Sequence, residues 1–251
     1  MKRLESLSVF FPAYNDAATI PSMVIASLLT LPKVTEDYEI IVVNDGSSDH
    51  TGEMLQELER VYPRLRVITH GGNKGYGGAL RSGFKAARKT WIFYTDGDAQ
   101  YDPREVTRLV HAVTEDTDVV NGYKIARSDP LHRILIGKLY HHIVCILFGI
   151  KLRDVDCDYR LMRREIFDQV ELTSTSGTIC LEMVKKLQDR GYRFKEVPVR
   201  HFHRAHGKSQ FFNVRRIILT AIQLTSLWWL LVVKKRHLRD RQTDEYTRGC
   251  S

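Results

Sequence analysis

Short apolar runs alternate with amphipathic stretches through the first half of the chain, a rhythm that predicts strand and helix in turn. Leu7–Phe11, Glu39–Val43, Leu65–Thr69, Trp91–Thr95 and Asp118–Asn121 read as strands, with Glu39–Val43 and the run from Trp91 apolar enough to be buried in a parallel sheet. Between them, Thr19–Leu29 predicts a helix with Pro21 tolerated in its first turn. Ser48 is the expected N-cap of a helix running to about Arg60, with Met54, Leu55, Leu58 and Val61 as its apolar face. Further helices are predicted near Ala79–Ala87 and Arg104–Val113. Such alternation argues for an α/β fold, a mostly parallel sheet with helices on both faces.

The second half is patterned differently. Leu131–Leu152 is apolar but punctuated by Arg133, Lys138, His141 and His142. Ile217–Val233 carries no charge and is bracketed by Arg215-Arg216 and Lys234-Lys235-Arg236. As a helix at about 1.5 Å per residue it falls short of a hydrocarbon core of roughly 30 Å. Thr220, Gln223 and Ser226 share one stripe, and Trp228 and Trp229 suit a headgroup boundary. The two segments are therefore expected to lie in a membrane interface rather than cross it, the bland alternative being an ordinary core helix. The organisation that follows is residues 1–130, then 131–213 with the first interface helix, then an amphipathic helix over 214–236 and a polar tail over 237–251.

Composition adds a partner. The 251 residues are 43% hydrophobic, enough for one sizeable domain, and carry a formal charge of +8, which suits an anionic partner. Cys145, Cys157, Cys180 and Cys250 form no CxxC pair, as expected of structural thiols in a reducing compartment. Met1–Ser6 runs into the first strand without a signal-type apolar region, so secretion is not expected.

The candidate chemistry gathers at strand ends. Asp96-Gly97-Asp98 follows the apolar run Trp91–Tyr94, so both carboxylates emerge at the C-terminal edge of a buried strand, where open α/β sheets bind ligands. Two carboxylates one residue apart can share a hard divalent cation that keeps positions open for phosphate oxygens, and Gln100 follows at the next alternate position. Asp45 follows the second strand, and Pro12-Ala13-Tyr14-Asn15-Asp16 the first. The loop Gly71–Gly78 lets backbone N–H groups approach phosphate, with Lys74 adding charge, but it lacks dinucleotide spacing. Gly207-Lys208-Ser209 is no Walker motif, since Phe202 stands where that motif needs glycine. His201, His203 and His206 fit a phosphate-binding loop better than a zinc site.

In order and spacing, Pro12–Asp16, Val42–Thr51, Asn73-Lys74-Gly75 and Thr95–Gln100 together resemble the family 2 glycosyltransferases, nucleotide-sugar enzymes of GT-A fold. The resemblance covers about Ser8 to Lys235. It implies a donor site in which Pro12, Tyr14, Asp16, Asp45, Lys74, Gly75 and Asp96 hold a GDP- or UDP-hexose, and in which Asp96, Asp98 and Gln100 hold Mg²⁺ or Mn²⁺. The second half resembles the dolichol-phosphate mannose synthase and polyprenyl-phosphate glycosyltransferase branch, which implies a polyprenyl phosphate acceptor met by Lys124, Arg133, Arg204, Lys208 and Ser209. Lys124 stands where that branch usually has arginine, and Gly137 where serine often sits. Asp158-Tyr159-Arg160-Leu161-Met162 resembles a segment near the reacting centre, so Asp158 and Arg160 join Asp98 as candidate catalytic residues. For Arg160 a buried structural ion pair is an equal alternative.

The reaction so implied is an inverting, metal-dependent hexose transfer at the cytosolic face of the membrane. One rival is a soluble family 2 enzyme acting on a saccharide or protein; another is a non-catalytic basic membrane-binding module. Nucleic acid is not an expected partner, because the carboxylate pair opposes it and no recognition motif is present. The nucleotide base, the sugar and the oligomeric state are left open.

Overall fold

The computed structural model describes residues 3–127, 131–203 and 214–238. The chain opens with β1 (Ser6–Ala13), α1 (Ile20–Thr30), β2 (Asp37–Asn44), α2 (Thr51–Val61), β3 (Leu65–Thr69), α3 (Tyr76–Ala86) and β4 (Trp91–Thr95). It continues through a 3₁₀ turn at Pro103–Glu105 into α4 (Val106–Ala112), then β5 (Val119–Arg127) and α5 (Leu131–Phe148). Next come β6 (Tyr159–Arg163), α6 (Ile166–Gln169), α7 (Thr178–Asp189), β7 (Phe194–His201) and α8 (Val214–Trp228), which runs into a π-helical turn at Trp229–Val233.

The seven strands form one sheet in the order β3-β2-β1-β4-β6-β5-β7. The β1–β2, β1–β4, β2–β3 and β5–β7 pairs are parallel, and β6 alone runs antiparallel to both neighbours. Every residue of β1 is buried, as a central strand covered on both faces requires. Val9, Phe11, Ile40 and Val42 pack on one face with Met23 and Val24 of α1, Leu55 of α2 and Leu109 of α4. Phe10, Ile41, Val43 and Tyr94 pack on the other with Leu80 and Phe84 of α3 and Met183 of α7. The alternation of neighbouring residues between the two clusters is the period-two geometry of a strand. Phe10 also fixes how near α3 may come, because a Cβ at Gly83 would strike its ring.

Several expectations are corrected. The second helix starts at Thr51, where Asp49 Oδ1 accepts from the Thr51 N–H at 3.0 Å, whereas Ser48 N donates to Asn15 Oδ1 at 2.8 Å and caps nothing. The fifth strand runs to Arg127 rather than stopping at Asn121, because β7 pairs beside it. β6, α7 and β7 went unrecognised in the pattern. β6 carries Arg160 buried at its second position, and β7 alternates weakly and carries Pro198, so neither shows an apolar run.

The expected interface helix is half core. Leu227 and Leu231 are buried with Val144 and Phe148 of α5 and Leu181 and Val184 of α7. The polar stripe is partly engaged too, since Gln223 Oε1 accepts from Ser176 Oγ at 2.8 Å. The two tryptophans diverge: Trp228 Nε1 donates to Leu147 O at 3.0 Å, while Trp229 is half exposed. The opposite face still presents Ile218, Leu219 and Ile222 to solvent, and α5 exposes Leu139, Ile143 and Ile146. Among the described residues no helix is long and apolar enough to cross a membrane. The start of the polar tail is anchored: His237 is buried and its Nε2 meets Asp189 Oδ2 of α7 at 2.8 Å. Residues 239–251 lie outside the described chain.

Candidate active site

Parallel strands deliver their following loops to one edge, and backbone bonds zip those loops together. Asp45 N donates to Ala13 O at 2.9 Å, His70 N to Asn44 O at 3.0 Å, and Gly97 N to Pro12 O at 3.2 Å. Thr19 Oγ1 adds a bond to Gly97 O at 2.8 Å. The residues expected at the donor site, Pro12, Tyr14, Asp16, Asp45, Lys74, Gly75 and Asp96, therefore share one edge of the sheet. Tyr14 is exposed there, and Asp16 Oδ2 accepts from its backbone N–H at 3.0 Å.

Asp45 is buried and bonded. Its Oδ1 meets His70 Nδ1 at 2.6 Å and accepts from Lys74 N at 2.9 Å. Gly46 takes a φ of +69° beneath the next loop, where a Cβ would stand 2.7 Å from Asn73 N. Lys74 also borders a second space. It lines a cleft of about 730 Å³ with Arg81, Ser82, Lys85 and Arg164, between α3 and the segment after β6.

The Asp-Gly-Asp turn sits between β4 and the start of α4. Asp98 is buried, and its Oδ1 accepts from Gln100 N at 3.0 Å. Ala99 holds a φ of +59°, a left-handed conformation that a non-glycine residue seldom adopts away from functional turns. Asp96 Oδ1 accepts from the Tyr76 hydroxyl at 2.7 Å. Burial, then the charges of Asp158 and Asp98, push the Asp96 carboxyl well above the ordinary range, and Asp16 adds to the push. A carboxylate held by an uncharged hydroxyl among three like charges is a site short of positive charge. Gln100 faces the end of β7, its Nε2 donating to Phe202 O at 3.3 Å and its backbone carbonyl accepting from Phe202 N at 2.8 Å.

Beneath the turn lies a network through β6. Asp158 Oδ1 accepts from Cys180 Sγ at 2.9 Å, from the Tyr94 hydroxyl at 3.4 Å and from Arg160 at 3.5 Å. Arg160, a candidate for contact with phosphate, is wholly buried. Its Nε donates to Asn121 Oδ1 at 2.6 Å, and its other nitrogens bond to the Tyr94 hydroxyl and Val155 O. No guanidinium surface is left for a ligand, so Arg160 supports Asp158 from behind rather than reacting.

Of the acceptor-side candidates, Lys124 has a described side chain. Lys124 Nζ donates to Asp156 O at 2.8 Å. Burial alone would lower its ammonium, but Asp154 and Asp156 outweigh it and raise the pKa. The Asp156 carboxyl, buried beside them, is pushed up to about 6. Arg133 lies in the first turn of α5, its side chain outside the described part of the chain, as are Arg204, His206, Lys208 and Ser209.

Three contributors went unnoticed in the sequence: His70, Tyr76 and Glu182. Glu182 is fully buried, accepts from Thr173 N at 3.0 Å, Ser174 N at 2.8 Å and Lys186 Nζ at 2.6 Å, and so fixes the segment against which the glycine loop rests. That loop is closely fitted: Gly77 N donates to Thr175 O at 2.9 Å, and a Cβ at Gly75 would stand 2.5 Å from the same oxygen. In sequence Glu182 is one carboxylate beside Ile179, Cys180 and Met183, with nothing local to name its partners.

A mostly parallel sheet with one antiparallel strand, and with an Asp-Gly-Asp turn at the edge where the loops converge, defines a GT-A-like transferase fold. The sequence matches the model of the family described as Glycosyl transferase family 2 over residues 8–171, and the chain belongs to that family and is a glycosyltransferase. Relatives include undecaprenyl-phosphate 4-deoxy-4-formamido-L-arabinose transferase of Aeromonas hydrophila, 28% identical over 236 residues, covering 92% of this chain and 72% of that protein. The protein of the same name from Proteus mirabilis is 28% identical over 228 residues, covering 90% and 69%. Among solved structures, glucosyl-3-phosphoglycerate synthase of Mycobacterium tuberculosis, in complex with Mn²⁺, UDP and glucosyl-3-phosphoglycerate, superposes with a TM-score of 0.69. It shares 18% identity and covers 90% of this chain and 79% of that one, a likeness of fold.

Proposed function

We propose that this glycosyltransferase moves a sugar, in the first instance a hexose, from a nucleoside diphosphate to a polyprenyl phosphate at the cytosolic membrane surface. The observation that carries the reading is the placement of Asp96 and Asp98 at the loop-bearing sheet edge, a step away from the partly exposed Asp158. The printed names of the 28%-identical relatives favour a polyprenyl phosphate acceptor. The exposed apolar residues of α5 and α8, with Lys234, Lys235 and Arg236 beside them, favour a membrane surface as partner.

Asp96, Asp98 and Gln100 suit a hard divalent cation, Mg²⁺ or Mn²⁺: oxygen donors on a turn crowded with negative charge. Among the described residues no group of three or more His, Cys, Asp or Glu forms a cage, so phosphate and water oxygens would have to complete the shell of an ion held here. Such an ion would stabilise the charge that builds on the departing diphosphate. The chain's own residues do the rest. Tyr14, Asp16 and Asp45 orient the nucleoside, and the N-terminus of α3, reached through the glycine loop, approaches the diphosphate. Asp158, backed by Arg160, Tyr94 and Cys180, aligns the acceptor. The acceptor's phosphate oxygen attacks the anomeric carbon as the bond to the diphosphate breaks, inverting that centre. A phosphate monoester with a second pKa of about 6 is already largely ionised, so no strong general base is required.

The test uses isotopically labelled UDP- and GDP-sugars, pentose and hexose, incubated with membranes containing the protein. The product should partition into organic solvent and should not form when divalent cations are chelated. A product that stays in water would overturn the polyprenyl acceptor in favour of a saccharide or protein.

A further inference from the structure

Behind the nucleoside edge two further side chains stand in line with Asp45: buried His70 and half-buried Ser82. Asp45 Oδ1 meets His70 Nδ1 at 2.6 Å, and His70 Nε2 meets Ser82 Oγ of α3 at 2.9 Å. The side chains of Asp45 and His70 are each only 5% exposed. Lys74 N fills the remaining lone pair of Oδ1 at 2.9 Å. Among the described residues Asp45 Oδ2 accepts nothing, and it is not sealed from solvent. A nearly buried carboxylate with one oxygen doubly satisfied and the other open is an acceptor awaiting a donor.

We infer that His70 is a positioning residue for the donor's nucleobase: backed by Ser82, it locks Asp45 so that Oδ2 alone meets a ring N–H of the base. This rests on the donor site proposed above. Facing a carboxylate, which can only accept, Nδ1 carries a proton and donates to Asp45 Oδ1, while Nε2 pairs with the Ser82 hydroxyl. Ring orientation is thereby set from the helix side, much as outer hydrogen bonds orient metal-bound histidines. The chemistry selects the base. Uracil offers N3–H, and guanine offers N1–H beside its 2-amino group. Cytosine and adenine place a bare ring nitrogen at that position, which repels a carboxylate oxygen.

Titration calorimetry of the intact protein with UDP, GDP and their ring-N-methylated analogues tests this. The wild type should bind UDP or GDP and favour it over its methylated form by about tenfold or more, the worth of a charge-assisted bond. His70→Leu should bind the parent nucleotide about tenfold more weakly and lose most of that discrimination. His70→Asn should keep discrimination to within about threefold of wild type, because its amide N–H can stand where Nδ1 does. A folded His70→Leu protein that discriminates as well as wild type would overturn the inference while leaving the donor site intact. Wild type that binds neither nucleotide would overturn the donor reading itself. If His70→Leu fails to fold, Ser82→Ala decides: its discrimination should fall at least about threefold, and wild-type discrimination there refutes the inference.

Discussion

The Tyr76 hydroxyl donates to Asp96 Oδ1 at 2.7 Å, joining the first turn of α3 to the Asp-Gly-Asp turn after β4. A bond to a buried carboxylate is worth more than its net average, because its loss leaves an acceptor unsatisfied. Tyr76→Phe should therefore cost about 1–3 kcal/mol in the geometry of Asp96, seen as a turnover loss of roughly tenfold and a higher half-saturating concentration of Mg²⁺ or Mn²⁺. Unchanged metal half-saturation would show that the bond only steadies the helix.

Asp98→Asn should fold, since Asn retains an oxygen to accept from Gln100 N, yet should abolish transfer by removing a charged oxygen donor. Measured turnover near the wild-type level in the folded variant would dismiss the cation site.

The glycine loop separates close fit from open space. Gly75 combines a φ of +79° with Thr175 O at 2.5 Å from a built Cβ, whereas Gly71 and Gly72 have nothing within 4 Å. Gly75→Ala should destabilise by more than about 1 kcal/mol and weaken nucleotide binding, while Gly71→Ala should be neutral in both. Equal effects on melting temperature and nucleotide affinity at the two positions would contradict this.

Glu182 supplies a pH dependence. Burial pushes its carboxyl up, but Lys186 and the Ser174 donors outweigh burial and hold it below the ordinary range. A depressed folded pKa means stability that is present above the unfolded value of about 4.3 and lost as pH falls through the folded one. Glu182→Gln should cost about 3 kcal/mol near neutral pH, leaving Lys186 buried without its partner, and the difference should shrink below about pH 4. Denaturant melts at pH 7 and pH 3.5 check the sign; a larger gap at the acid pH would reverse it.

The exposed stretch that follows α8 makes the last prediction. Exchanging Lys234 and Lys235 for Glu should weaken binding to anionic vesicles by at least about 1 kcal/mol per lost charge at low salt. Trp229→Ala should weaken binding to neutral and anionic vesicles alike, while neither change should move the melting temperature much, since these side chains are exposed. Vesicle binding that survives both changes would place the membrane contact elsewhere.

What the sequence determined by itself was the parallel half of the fold and the edge that bears the chemistry. Runs such as Phe10-Phe11 and Ile40–Val43 have no stable place except between two layers, and strand ends followed by Asp45 and Asp96-Gly97-Asp98 then share one edge. Local periodicity suffices wherever a strand is apolar throughout. Only the tertiary structure decided the rest. A charged residue in a central strand, like Arg160 in β6, is legible only when Asn121, Tyr94 and Asp158 are seen around it. The apolar length of α8 does not tell which side faces α5 and α7 and which faces outward, because that depends on what packs beside it. His70, Tyr76 and Glu182 carry no local signal, since hydrogen bonds between side chains far apart in sequence exist only after the loops have closed on one another.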